Sequence, residues 1–233
     1  WLVATVTFAA MSASAQDRAD NAHDPVVVEL YTSQGCSSCP PADEILKDVS
    51  HRDDVIALAL HVDYWDYIGW EDKFAQAKFT ERQQGYARAA GARTIYTPQM
   101  IVAGKDHIIG AHAMDLAEQI ASHAKLGNEL HLSLVRQGST VEVAADPVKD
   151  MTGPDLVVQL VRYDPLEQVS IGRGENSGRT IDYTNIVTSW ERVGTWPGVA
   201  PLRLTVDAPG PEPVVIIIQR PDQGAILAAA RLR

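Results

Sequence analysis

The first half of the chain alternates two apolar patterns. Residues 26–31 (Val-Val-Val-Glu-Leu-Tyr) and 55–62 (Val-Ile-Ala-Leu-Ala-Leu-His-Val) are continuous, β-branched and too short for helices, so both are predicted as buried strands. Between them, Thr32-Ser-Gln-Gly35 predicts a turn, and residues 42–49 put Ile45, Leu46 and Val49 on one helical face. Pro40 and Pro41 suit the first turn of that helix, where no intrahelical N–H bond is lost. A longer helix is predicted from Glu71 or Lys73 to Ala90, closed by Gly91. Residues 100–103 and 107–110 read as strands turned by Gly104-Lys-Asp, and 114–125 as a helix. The expected order is β-α-β-α-β-β-α.

After Gly127 the texture changes. Short alternating runs at 130–135, 140–144, 156–161, 202–206, 214–218 and 226–232 are punctuated by Gly, Pro, Asp and Asn, with no helical period between them. That pattern predicts an all-β, antiparallel, sandwich-like unit. With a boundary at Gly127-Asn128, the expected units are 24–126 and 129–233.

Residues 1–10 are apolar and lead into Ala13-Ser14-Ala15, which reads as the remnant of a signal peptide over 1–15 with the mature chain from Gln16. Export to the periplasm or beyond is therefore expected. No later stretch approaches the roughly 20 apolar residues of a spanning helix, so no membrane insertion of the mature chain is expected. The formal net charge is −10, and no Lys/Arg cluster tracks a phosphate backbone. Nucleic acid is thus excluded as an expected partner.

Export gives meaning to the two cysteines, Cys36 and Cys39. A disulfide persists in an oxidising compartment, but one closing so short a loop adds little stability by chain entropy. A redox role explains the spacing better. At the start of a helix, unpaired backbone N–H groups and the positive dipole end stabilise a thiolate. No Lys, Arg or His lies beside the pair, while Asp43 and Glu44 follow it closely, so the backbone carries that support. Three segments should gather at the carboxyl edge of the sheet, where open α/β sheets place ligands: the cysteine motif, the loop 63–72 and the residues before 100. In that loop Tyr64, Trp65, Tyr67 and Trp70 are candidates for a substrate groove, at least two of them serving as core anchors. His61, Asp63, Asp66 and Asp72 lack an established metal-ligand spacing, and neither metal nor cofactor is expected. Residues 173–179, polar and glycine-rich, read as a hairpin turn, or else as a cover over the redox edge.

The element order with Cys36-x-x-Cys39 and Pro98 resembles the thioredoxin superfamily. Gly35 stands where a tryptophan usually precedes the first cysteine, and Ser37-Ser38 replaces Gly-Pro. A closer resemblance is to an uncharacterised family of secreted bacterial thioredoxin-like proteins, domain of unknown function 1223. The segments that carry it are Tyr31-Thr-Ser-Gln-Gly-Cys-Ser-Ser-Cys-Pro-Pro-Ala-Asp43, His61-Val-Asp-Tyr-Trp-Asp66 with Gly69-Trp70, Arg82-Gln83, Tyr86, Tyr96-Thr-Pro-Gln-Met100 and Gly172-Arg-Gly-Glu-Asn176. The resemblance implies a thioredoxin-like fold for the first unit. It also implies Cys36 as an exposed nucleophile, Cys39 as an inner resolving cysteine, and Thr97-Pro98 as a cis peptide that positions substrate. Trp65 and Trp70 are assigned to substrate binding, and Glu29 is a candidate proton acceptor for Cys39 or else a half-exposed strand-end acid.

The resulting expectation is an exported thiol–disulfide oxidoreductase whose partners are a cysteine-containing client protein and a redox partner protein. Two other classes fit the residues: a module holding Cu(I) between the two thiolates, weakened by the lack of Met or His in the motif, and a non-catalytic interaction protein with a structural disulfide.

Overall fold

A computed structural model describes residues 17–20, 25–127 and 129–233; the expected signal peptide lies outside them. The element order is β1 (Arg18–Asp20), β2 (Val26–Thr32), α1 (Pro40–Ser50), β3 (Val55–His61), a 3-10 turn (Asp66–Ile68), α2 (Ala77–Ala89), β4 (Gln99–Val102), β5 (Asp106–Ile109) and α3 (Ala113–His123). The second half adds β6 (Leu130–Gln137), β7 (Thr140–Pro147), β8 (Leu156–Ser170), β9 (Thr180–Trp196), β10 (Leu202–Asp207), β11 (Val214–Gln219) and β12 (Ile226–Leu232). The fold is mixed α/β and built on two sheets.

β2 and β3 are buried along their whole length because both of their faces are covered, as a continuous apolar run requires. They pair in parallel, and β4 and β5 extend the sheet antiparallel beyond β2. On one face Val28, Leu30, Ala57 and Ala59 pack with Ala42 and Leu46 of α1 and Leu116 and Ile120 of α3. On the other, Tyr31, Leu58 and Leu60 pack with Phe79 and Tyr86 of α2.

α2 begins at Ala77, later than the pattern suggested. The segment before it is tied down by Asp72, whose carboxylate accepts from the Phe74 amide (2.9 Å) while its carbonyl accepts from Ala75 (2.9 Å). An aspartate turned onto its own following backbone competes with helix formation there.

The expectation of a separate second sheet system is corrected by the strand order. The larger sheet runs β12-β11-β8-β9-β3-β2-β4-β5, so second-half strands continue the first-half sheet. The junction is a parallel contact between β3 and β9 at Ala59 and Ile186, reinforced by the Asn185 side chain donating to the Ala57 carbonyl (2.9 Å). The smaller sheet, β1-β6-β7-β10, packs face to face on β8, β11 and β12, with Leu132, Leu134 and Val143 against Val158, Ile216 and Ala230. That face-to-face packing has the sandwich character expected. Its other sheet, however, is shared. Because α2 and the smaller sheet cover opposite faces of β11, all six of its residues are buried, alternate ones going to each core.

β8 is longer than expected and β9 was not anticipated. Their ladder shifts register after Val158 and after Arg162, and each bulge flips the in–out alternation. Asn185 also takes a left-handed φ of 51°. No single period therefore survives along β9.

Candidate functional site

β2 delivers the chain to the carboxyl edge of the sheet, and the Ser33–Gly35 turn brings it back into α1. The Cys36 amide donates to the Ser33 carbonyl (3.1 Å), and the Cys39 amide to the Cys36 carbonyl (3.2 Å). Cys39 is the N-cap of α1, with both prolines in the first turn, and its carbonyl accepts from Ala42 and Asp43. Cys36 and Cys39 form a disulfide with Cα atoms 5.4 Å apart, within the usual span of a bridged pair.

Cys36 was expected to be exposed and Cys39 inside. Both are 0 % exposed, and only Ser37 and Ser38 between them reach solvent. Two segments supply the cover. In loop 63–72, Trp65 and Ile68 lie so close to Gly35 that a Cβ there would sit 3.2 Å from each, which explains why glycine precedes the motif. From the second half, loop 171–179 is the turn of the β8–β9 hairpin, and it also folds over the edge, so the turn and cover readings of that segment both hold. Its Asn176 amide donates to the carbonyls of Gln34 and Cys36, both at 2.9 Å, and the Ser37 amide donates to Glu175 (3.3 Å).

The aromatic loop joins these parts. Trp65 Nε1 donates to Thr97 Oγ1 (2.7 Å) and Trp70 Nε1 to Gln34 Oε1 (2.8 Å), while Gly174 packs on Trp70. Thr97-Pro98 is a cis peptide, as expected. Trp65, Trp70, Thr97 and the cysteines thus share one edge. Tyr64 bonds Gln83 (3.2 Å), and Tyr67 is the exposed member of the four aromatics.

Glu29 lies elsewhere in its bonding. It is fully buried and accepts from Arg82 Nε (2.7 Å) and Nη2 (2.9 Å), from Tyr86 (2.6 Å) and from Tyr31 (3.0 Å). With about four lone-pair positions on a carboxylate, these donors occupy it. Burial disfavours the Arg82 charge, but Glu29, Tyr86 and Tyr31 together outweigh it and hold the guanidinium more firmly protonated than usual. Burial also pushes the Tyr31 and Tyr86 hydroxyls up, with Glu29 adding to the effect for both.

The acid that sequence reasoning passed over is Asp43. It sits four residues after Cys39, one turn along α1, where i and i+4 share a face. Burial pushes its carboxyl up to about 7, with His61 opposing. Around it are Thr32, His61, Asp72 and Tyr183, all buried. His61 Nδ1 and Asp72 Oδ2 are 2.7 Å apart, and the His61 ring meets that of Tyr183 at 4.9 Å. Burial raises Asp72, but His61 and the amides of Gln34 and Phe74 outweigh it and leave the carboxyl below its ordinary value. Burial, then the charges of Asp43 and Asp72, drive the Tyr183 hydroxyl well upward. Among the described residues, His61 Nε2 and the Tyr183 hydroxyl lack hydrogen-bond partners, and Asp43 has no well-formed one, with Thr32 near enough only to oppose the rise of its pKa. A buried acid with no well-formed hydrogen bond and a pKa near neutrality is equipped to take or give a proton.

Compared with protein families, residues 27–219 match the one described as "Protein of unknown function (DUF1223)". No curated protein matches the chain. Among solved structures it is similar to the crystal structure of a protein from Agrobacterium tumefaciens, with 32% identity and a TM-score of 0.76, over 89% of this chain and 93% of that one. It is also similar in fold to HBP35 of Porphyromonas gingivalis, with 15% identity and a TM-score of 0.62, over 90% of this chain and 74% of that one.

Proposed function

The chain belongs to the DUF1223 family, and we propose that it is a thiol–disulfide oxidoreductase of exported proteins built on a thioredoxin-like first half. The observation that carries the reading is the Cys36–Cys39 disulfide at the start of α1, on the same sheet edge as the cis Thr97-Pro98 and the aromatic loop. The order β2-α1-β3-α2-β4-β5-α3 supports the fold assignment.

In the proposed exchange, the Cys36 thiolate attacks a client disulfide, forming a Cys36–client bond and expelling one client sulfur as thiolate. Cys39 then gives its proton to Asp43, and its thiolate attacks the Cys36 sulfur. The Cys36–Cys39 bond forms, the client's second sulfur leaves, and two electrons have passed to the client. A dithiol redox partner restores the reduced pair; with a more oxidising pair the same steps run in reverse. Asp43 takes the acceptor role first considered for Glu29, whose oxygens are committed to Arg82, Tyr31 and Tyr86.

Equilibrating the pair with mixtures of reduced and oxidised glutathione, then counting free thiols, tests the proposal. A two-electron transition, unaffected by Cu(I), is expected. Tight Cu(I) capture without such a transition, or a pair inert across the whole range, would overturn it.

Asp43→Asn isolates the acid. A group whose folded pKa stands above its unfolded one stabilises fully below the unfolded value, and that stability is lost as pH rises through the folded value. Oxidised wild type should therefore lose stability between about pH 4 and about 7. Roughly three pH units at about 1.36 kcal/mol each set an upper bound of about 4 kcal/mol. The variant should lack this slope. Its resolution step should also slow about 100-fold and lose its rise near neutrality, the usual scale for a lost general base. Parallel pH curves for both proteins in unfolding and in stopped-flow resolution would rule Asp43 out.

A further inference from the structure

Loop 171–179 is exposed at most of its positions, yet Asn176 at its tip is 1 % exposed. The loop is closed at its base, where the Ile171 amide donates to the Arg179 carbonyl (2.9 Å) and the Gly178 amide to the Ile171 carbonyl (2.8 Å). Within it the Ser177 amide donates to Gly174 (3.2 Å) and the Arg179 amide to Asn176 (3.1 Å), so it is a compact unit anchored by one inserted side chain. Gly174 and Gly178 adopt left-handed φ values of 75° and 82° that a side chain would strain.

What the insertion occupies is telling. The Asn176 carboxamide, a chemical copy of a peptide group, donates to the backbone carbonyls on either side of Gly35. Glu175 takes the Ser37 amide, an N–H beside the Cys36 sulfur that an anionic sulfur would also seek. These main-chain groups flank Cys36, within reach of an extended peptide that approaches its sulfur.

We propose that loop 171–179 is an intramolecular stand-in for the client: it fills the peptide-docking positions beside Cys36, and a client segment reaches the sulfur by replacing the Asn176 and Glu175 hydrogen bonds with its own backbone groups. This rests on the oxidoreductase reading and adds a selectivity to it. The partner must offer an extended stretch with a main-chain N–H donor next to its cysteine. A small thiol, with nothing to displace the loop, reacts only when the loop lifts unaided, so it reduces the disulfide slowly while reaching the same equilibrium.

The test is the rate at which dithiothreitol reduces the oxidised full-length protein under native conditions. Asn176→Ala removes two hydrogen bonds from the closed state, which should raise the open population and the rate about tenfold or more. Glu175→Ala, a change at an exposed side chain, gives a second variant that leaves the buried anchor in place and should accelerate reduction about threefold. Circular dichroism establishes that each variant is folded. Equal and rapid reduction of wild type and both variants would overturn the stand-in while leaving the oxidoreductase proposal intact. A disulfide that resists in all three and yields only on unfolding would overturn both.

Discussion

On the proposed exchange, Cys39→Ser protein should remain covalently joined to client proteins, while Cys36→Ser protein should carry none. The expectation follows from unequal anchoring of the two residues. Cys39 caps α1, and the amides of Ala42 and Asp43 fix its carbonyl within the helix start. Cys36 belongs to the turn ahead of the helix, next to exposed Ser37 and under a loop from the other half of the chain. If the loop lifts as proposed, the sulfur it uncovers should be that of Cys36, whose carbonyl it holds. Without Cys39 the mixed disulfide has no internal attacker and persists. A purely structural disulfide would lose the same small stability from either change and capture nothing. Non-reducing electrophoresis with a reduced control reads the difference. Adducts in neither variant, or equally in both, would remove the nucleophile assignment and the proposed activity together.

Arg82→Met is expected to cost about 3–5 kcal/mol, the usual penalty for leaving one member of a buried ion pair uncompensated. At roughly 2–4 °C per kcal/mol for a chain of this size, the midpoint of thermal unfolding should fall by roughly 10 °C. Arg82 does more than neutralise Glu29. From α2 it donates to Gln159 on β8 (3.3 Å) and to Gln219 on β11 (3.1 Å), and its guanidinium lies 3.8 Å over the Trp190 ring of β9. Gln219 in turn donates to Tyr86 (2.9 Å). One side chain therefore binds both halves of the chain. The double variant Arg82→Met with Glu29→Gln should regain part of the loss, because it removes the stranded charge. A midpoint unchanged by Arg82→Met, or no recovery in the double variant, would show that the ion pair is not what holds this core.

What could be read from the sequence was local. The run at Val26 to Thr32 declares a strand covered on both sides, and Pro40-Pro41 after Cys39 declares a helix start, because each depends on neighbouring residues alone. The fate of Glu29 depended on Arg82, 53 positions away, and that of Cys36 on Asn176, 140 positions away. Neither distance leaves a trace in periodicity. Asp43 carried a readable sign, its i+4 spacing from Cys39, yet its burial comes from Tyr183 and His61 on other strands. β9 was hidden for a different reason, since two bulges and a left-handed asparagine scramble the alternation by which strands are recognised.

That same strand settles what kind of inheritance the chain permits. β9 shields the open side of β3, all of whose residues are buried, and the Asn185 side chain meets the carbonyl of Ala57. Severing the chain after residue 127 would bare an apolar parallel strand with unpaired backbone groups, the surface on which chains aggregate edge to edge. The cysteine-bearing half is therefore not expected to pass between proteins as a free module, and a change in the proposed clients would have to evolve together with the strands that close it.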